Sequence, residues 1–289
     1  MARSSAPLDP EKYEQDEDGL PREIVGEWAR DKYARLAKYV DISRGVRAGF
    51  VGARKAGASY IELFSGPGRV RMKDTGEVTH GSPLVAWIES ASTNTSFTQV
   101  HIADADARLV EASATRLRMH SAPVHKETGT AEETVARIIP KLNKSALHVA
   151  FLDPYNLGAL PFAVIRRLAR LKRMDILIHV SVQDLNRNLL RYLDAETSPL
   201  DAFTPDWRKH VDGERSIPYV RGKLFEYWRS LLRTIDMSTA EAAELVVGSN
   251  NQPLYWLAFA ARHPRALEFW EKIRHLDPKP QIDLFKGAK

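Results

Sequence analysis

The chain contains no cysteine among its 289 residues. Disulfides, thiolate nucleophiles, zinc ribbons and cysteine-ligated iron–sulfur clusters are therefore excluded. No apolar run approaches the roughly 18 residues that a membrane-spanning helix needs, so no membrane contact is expected. The opening residues, MARSSAPLDPEKYEQDEDG, hold no apolar core of the secretory-leader kind, which predicts a cytoplasmic protein. Internal repeats and low-complexity tracts are also missing. What is present is ordinary in amount: 44% hydrophobic and 27% charged residues, which suits a folded α/β domain rather than a disordered chain. Charge is uneven. Residues 1–20 hold two basic and six acidic side chains, a local net of −4 within a chain of net +5, so the remainder carries +9.

These patterns divide the chain into an acidic flexible tail over 1–21, a main domain over 22–276 and a Pro/Lys-containing tail over 277–289. Helical spacing is predicted from Arg22 to about Phe50, with Trp28, Leu36, Tyr39, Val40 and Val46 on the apolar stripe. A strand, Ser59–Phe64, follows, and residues 69–81 read as a polar loop. Ser82 and Pro83 then read as N-cap and first residue of a helix. Strands at 97–103, 123–126, 147–152 and 176–182 alternate with helices at 105–118, 130–142 and 161–172, the second opened by the capping-box spacing Thr130–Glu133. A helical insert over about 186–235 precedes a hairpin, 244–247 with 254–260, and a last helix, 265–275. This alternation predicts a doubly wound α/β fold: a mostly parallel seven-strand sheet covered on both faces and closed by an antiparallel hairpin.

In such a sheet, ligands lie outside the carboxyl ends of the strands. The first strand ends in Glu62-Leu-Phe64-Ser65-Gly66-Pro67-Gly68. Two glycines allow a left-handed turn and close approach of a ligand. Arg69 and Val70 stand where a phosphate-binding loop needs Lys and Ser/Thr, and Arg71 stands where a dinucleotide fingerprint needs Gly or Ala. An acidic strand followed by a glycine loop with no phosphate to hold fits S-adenosylmethionine, an adenosine joined to an amino acid through a cationic sulfonium. Asp104 or Asp106, after the second strand, is placed to hold a ribose diol. At the end of the fourth strand, Phe151-Leu-Asp153-Pro154-Tyr155 looks like a shortened D-P-P-Y/F motif of amino-methyltransferases, in which Asp orients an amine and the aromatic ring stacks on its base. Gln183, Asp184, Asn186 and Arg187 could line a cleft or simply cap a helix. Arg166, Arg167, Arg170, Lys172 and Arg173 form a basic run, read as one helix face that either is solvated or touches nucleic-acid phosphates. His101, His125, His148 and His179 fall in strands without metal-ligand spacing, and Ser65 is not in a nucleophile elbow.

Three of these segments in order, Tyr60–Gly68, Gly81-Ser-Pro-Leu-Val-Ala86 and Phe151–Tyr155, resemble the three-Cys-motif partner family (TcmP). Flanking Trp28, Lys32, Tyr33, Leu36 and Tyr39, and later Tyr255–Phe259 with Trp270, are similar to that family's flanks. The resemblance spans roughly residues 25–275. It implies a class I methyltransferase fold and a separately encoded partner bearing three cysteines. It also implies Glu62, Phe64, Gly66 and Gly68 as cofactor-loop residues, Asp104 (or Asp106) as ribose ligand, and Asp153, Pro154 and Tyr155 on the acceptor side. The expected function is methyl transfer to a nucleic-acid base or another planar amine. The alternatives are a catalytically silent recognition module of the same fold and a Rossmann-type adenosine-nucleotide enzyme.

Overall fold

The computed structural model describes residues 7–212, 216–240, 244–247 and 252–274. The expected tail over 277–289 and most of the turn expected between residues 247 and 254 lie outside them. In chain order the elements are β1 (Tyr13–Gln15), β2 (Pro21–Val25), α1 (Trp28–Ile42), α2 (Arg44–Ala48), β3 (Ala58–Glu62), β4 (Arg69–Met72), β5 (Val78–His80), α3 (Ser82–Ser92), β6 (Gln99–Asp104), α4 (Ala107–Met119), β7 (Val124–Thr128), α5 (Ala131–Ile138) and β8 (Leu147–Leu152). They continue with α6 (Phe162–Leu168), β9 (Met174–Ser181), α7 (Val182–Asp194), α8 (Pro199–Phe203), α9 (Ile217–Arg233), β10 (Ser238–Thr239), β11 (Glu244–Val247), β12 (Pro253–Ala261) and α10 (Pro264–Arg274).

The main sheet runs β10-β12-β9-β8-β3-β6-β7, with β11 also paired to β12. Strands β7, β6, β3, β8 and β9 are parallel, and β12 is antiparallel to β9. This is the expected doubly wound, mostly parallel arrangement, with eight strands among the described residues rather than seven. The chain reverses its direction of travel between β3 and β8, so the ligand crevice belongs at their carboxyl ends.

Alternation along the strands builds two cores. Tyr60, Val100, Ile102, Val149, Phe151 and Leu177 pack under α1, α3, α4 and α10. On the other face, Ile61, Ala150, Leu152, Ile176 and Ile178 pack under α5 to α9. Thr130 forms the expected capping box with Glu133. Ser82 does not cap its helix: Gly81 holds that position, and the Ser82 hydroxyl turns instead to Glu62, 2.5 Å away.

A second sheet, β1-β2-β4-β5, corrects three expectations. Residues 69–81 form a β-hairpin rather than a loop, residues 21–25 are strand rather than helix, and the described part of 1–21 is not a loose tail. The physical reason is that the acids of this segment have partners. Glu14 accepts from Arg22 and Arg71, both at 2.6 Å. The fully buried Asp16 side chain accepts from Arg22 at 2.9 Å and lies 3.2 Å from both Arg69 and Arg116. Arg116 of α4 also binds Asp18 at 2.7 Å, and it donates to the carbonyls of Pro21 and Pro67 at 2.8 and 2.7 Å. One guanidinium thus fastens the N-terminal hairpin to the glycine loop.

The basic run is also corrected. Helix α6 ends at Leu168, so Arg170, Lys172 and Arg173 lie in the turn leading to β9. Arg173 donates to the Ser145 carbonyl at 3.0 Å, beside the start of β8. The run therefore sits at the amino ends of the strands, across the sheet from the crevice.

Removing the Arg116 clasp should loosen the hairpin selectively. Arg116→Ala is expected to lower stability by about 1.5–3 kcal/mol, the range for hydrogen bonds to charged groups. Urea denaturation measures this, and limited proteolysis should cut within residues 7–25 before it reaches the main sheet.

Candidate functional site

The carboxyl ends of β3, β6, β8 and β9 gather a cluster of ionisable side chains. On β3, Tyr60 and Glu62 are two residues apart and share the face covered by α1 and α3. Glu62 is fully buried, and its two oxygens accept from the Tyr60 hydroxyl at 2.6 Å and the Ser82 hydroxyl at 2.5 Å. Burial pushes its carboxyl up to about 8, against the opposing pull of those hydroxyls.

After β3 the chain turns through Gly66 (φ +53°) and Gly68 (φ +82°). Both adopt the left-handed conformation that favours glycine, but they face different ways. A Cβ on Gly68 would stand 2.8 Å from Leu84 and 3.1 Å from the Ser113 backbone, so Gly68 serves the packing of the loop on α3 and α4. Gly66 faces the N-terminal sheet, where its Cβ position is 3.3 Å from Glu23 Oε2. Phe64 packs against the core of the opposite face.

The two acids after β6 separate clearly. Asp104 accepts from the Gly66 and Asp106 backbone N–H groups, each at 3.0 Å, and burial raises its carboxyl pKa. Asp106 instead caps α4, accepting from the Arg108 backbone at 2.9 Å, and its pKa is lowered chiefly by the Arg108 side chain. Asp104 is thus the acid turned to the glycine loop.

On β8, the register Leu152↔Ile178 carries Asp153 to a place beside His179 of β9. Asp153 Oδ1 lies 2.9 Å from His179 Nδ1, off the line of a well-formed hydrogen bond, and Oδ2 accepts from Lys32 Nζ at 2.5 Å. Burial alone would raise this carboxyl, yet Lys32 and His179 outweigh it and hold Asp153 well below the usual carboxylate range. Burial, with Lys32 nearby, lowers His179. Lys32 also stands 5.5 Å over the Tyr255 ring, and His179 meets that ring edge-on at 4.6 Å. Pro154 is buried while Tyr155 is 80% exposed, so the motif points its acid inward and its ring to solvent.

Sequence reasoning missed three members of this cluster. Lys32 shares the stripe Trp28–Lys32–Leu36–Val40, so a lysine at core spacing was the available signal. His179 interrupts an apolar strand on the face it shares with Leu177. Glu23 fell in a stretch expected to be helical. Asp184 takes neither expected role: Ser181 caps α7, and the buried Asp184 accepts from Leu157 N–H, Asn188 and Tyr192 at 2.9, 2.6 and 3.0 Å, tying α7 to the turn after β8.

No family model and no curated sequence match the chain. Among solved structures it is similar to the O-methyltransferase TomG from Streptomyces achromogenes, in complex with SAM, at 15% identity over 82% of this chain and 90% of that one, TM-score 0.42. It is similar to the Bacillus cereus O-methyltransferase in complex with SAH at 12% identity, over 82% and 91%, TM-score 0.45. The DszA carbon methyltransferase matches at 10% identity, over 80% and 54%, TM-score 0.49. At these values the likeness concerns fold, and the chemistry rests on the side chains above.

The protonated form of Glu62 is the one that burial favours. Its contribution to stability is therefore complete below its ordinary pKa of 4.5 and is lost as pH rises through about 8. Glu23, raised to about 7, acts in the same direction. Burial lowers His80, His101 and His148 to about 4, which acts in the opposite direction below their ordinary 6.5. The melting temperature of the ligand-free protein should therefore fall from about pH 6.5 to 8, and Glu62→Gln should flatten part of that slope; an unchanged slope would refute the assignment.

Proposed function

We propose that the protein is an S-adenosylmethionine-dependent methyltransferase acting on an amine nitrogen of a planar acceptor, a nucleic-acid base being the acceptor class that fits best. One observation carries this reading. Glu62, Asp104, Asp153 and Glu23 converge on a left-handed glycine loop at the switch point, and Lys32 is the cation paired among them. Such a site favours a ligand that brings positive charge and needs no phosphate cradle. Asp104 would hold the ribose hydroxyls, and Gly66 would let the ligand approach the backbone. When bound, the cofactor supplies a methyl group on an electron-poor sulfur.

Asp153 would orient the acceptor amine from the end of β8, with His179 behind it as a place for the released proton. Two exposed aromatic rings support a planar acceptor. Trp28, 38% exposed, lies one helical turn before Lys32, and Tyr155 lies two residues after Asp153. The Lys32–Asp153 ion pair joins their two elements. The order of the Tyr60–Gly68, Gly81–Ala86 and Phe151–Tyr155 motifs supports a place near the three-Cys-motif partner family, with a three-cysteine protein as partner. Because the basic run lies across the sheet, a nucleic-acid acceptor that used Arg166, Arg167, Arg170, Lys172 and Arg173 would have to wrap around the sheet edge. A silent recognition module is the second reading. It is favoured by the engagement of both Asp153 oxygens, which leaves that acid occupied in the ligand-free state.

Calorimetry should detect S-adenosylmethionine binding to the wild type, with Asp104→Ala weaker by about 1.5–3 kcal/mol. Radiolabelled methyl transfer to RNA, DNA and protein pools should be seen with the wild type. Asp153→Asn keeps the side-chain shape and should lower that transfer by about 10²-fold or more while cofactor binding persists. Binding without transfer in the wild type, alone or with a three-cysteine partner, would instead establish the recognition module.

A further inference from the structure

We propose that Glu23, carried on β2 of the N-terminal hairpin, receives the ammonium group of the cofactor's methionyl end, so that the hairpin is a working wall of the cofactor site. The inference rests on the cofactor reading above. It begins from what the other acids are already doing. Glu62 is the acid that the motif offers, yet the Tyr60 and Ser82 hydroxyls occupy both its oxygens. It acts as a strut between β3 and α3. Asp153 is held by Lys32 and His179, and Asp104 by two backbone N–H groups beside the ribose position.

Glu23 is different. Among the described residues its carboxylate makes no hydrogen bond and no ion pair, although burial and Asp153 push its pKa up to about 7. Its Oε2 reaches to 3.3 Å from the Cβ position of Gly66, the glycine whose open side faces away from the core. The charged groups that act on it are Asp153 and Asp104, with Lys32 and Lys12 opposing them. Tyr33 and Tyr13, both raised by burial, feel its charge in return. Asp104 takes the Gly66 N–H, whereas Glu23 meets Gly66 on its Cβ side, so with Asp104 at the ribose Glu23 is left for the amino-acid end. Glu23 is half-buried on β2, and a carboxylate partly removed from water without a protein partner gains by meeting a donor. An ammonium offers three N–H donors and a full charge, whereas a sulfonium offers charge and no donor. The Arg116 clasp keeps Glu23 in place by fixing Pro21 and Pro67 to one guanidinium.

The test compares three ligands by calorimetry on the full chain: S-adenosylmethionine, S-adenosylhomocysteine (ammonium without sulfonium) and methylthioadenosine (neither). Glu23→Gln should weaken the first two by about 10- to 150-fold, the loss of one hydrogen bond to a charged group, and leave the third within about twofold. Its melting temperature at pH 8 should equal or exceed that of the wild type, since a charge that Asp153 and Asp104 repel is removed; this also reports folding. Glu23→Asp, which retracts the charge, should give an intermediate loss. Unchanged affinity for all three ligands would overturn the inference while leaving the cofactor reading intact. Loss confined to S-adenosylmethionine would place Glu23 at the sulfonium, and equal loss of methylthioadenosine would place it at the ribose; either overturns the assignment. Failure of the wild type to bind any of the three would refute the cofactor reading itself, and the inference with it.

Discussion

A carboxylate taken out of water must be paired, hydrogen-bonded or protonated, and the carboxyl edge of this sheet meets that requirement in four ways. Asp153 has ions beside it and stays charged. Asp104 has backbone N–H donors. Glu62 has hydroxyl donors and is pushed toward its acid form. Glu23, half-buried, has neither a donor nor a paired cation among the described residues. These differences matter more than the number of acids. They set which groups are committed to the fold and which are available to something that binds.

The availability of Glu23 depends on an element remote from the sheet. Residues 13–25 would be a weak ribbon by themselves, since a two-stranded hairpin is marginal in water. They persist as strand because β2 pairs in parallel with β4, directly after the glycine loop, and because Arg116 reaches up from α4. The buried Asp16 lies within reach of three guanidiniums, which compensates for its removal from water. The acidic surplus of the N-terminus and the basic surplus of the body are thus two halves of one contact. Arg116 joins glycine loop, hairpin and α4.

The parallel sheet was legible because its strands are short apolar runs ended by turn residues: Leu147–Leu152 agrees in both bounds with the observed β8. The glycine loop, the Thr130 capping box and the acids at the strand ends followed from local chemistry. The small sheet did not. Its strands are three to five residues long and rich in Arg and Glu, so alternation cannot be told from a solvated tail until the distant partners are known. Ser82 misled for a related reason, since a serine before a helix is usually a cap, and only the neighbouring β3 reveals another acceptor. Lys32 and His179 were hidden inside apolar patterns. A charged residue on a core stripe is informative only when its counter-charge, here on β8, can be placed.

The same geometry divides the site into two sides. The hairpin lies against the β3–β6 side, where Glu23 and Asp104 both meet Gly66. The β8–β9 side is edged by Trp28 and Tyr155, both open to water, with Lys32 and Asp153 between their elements. The first side gathers carboxylates, which suits a cationic ligand, and the second offers open aromatic rings. Lys32 belongs to both sides, since it neutralises Asp153 and lies in the field of Glu23. A cation settled against Glu23 would cancel that carboxylate's charge and leave Asp153 as the counter-charge in contact with Lys32.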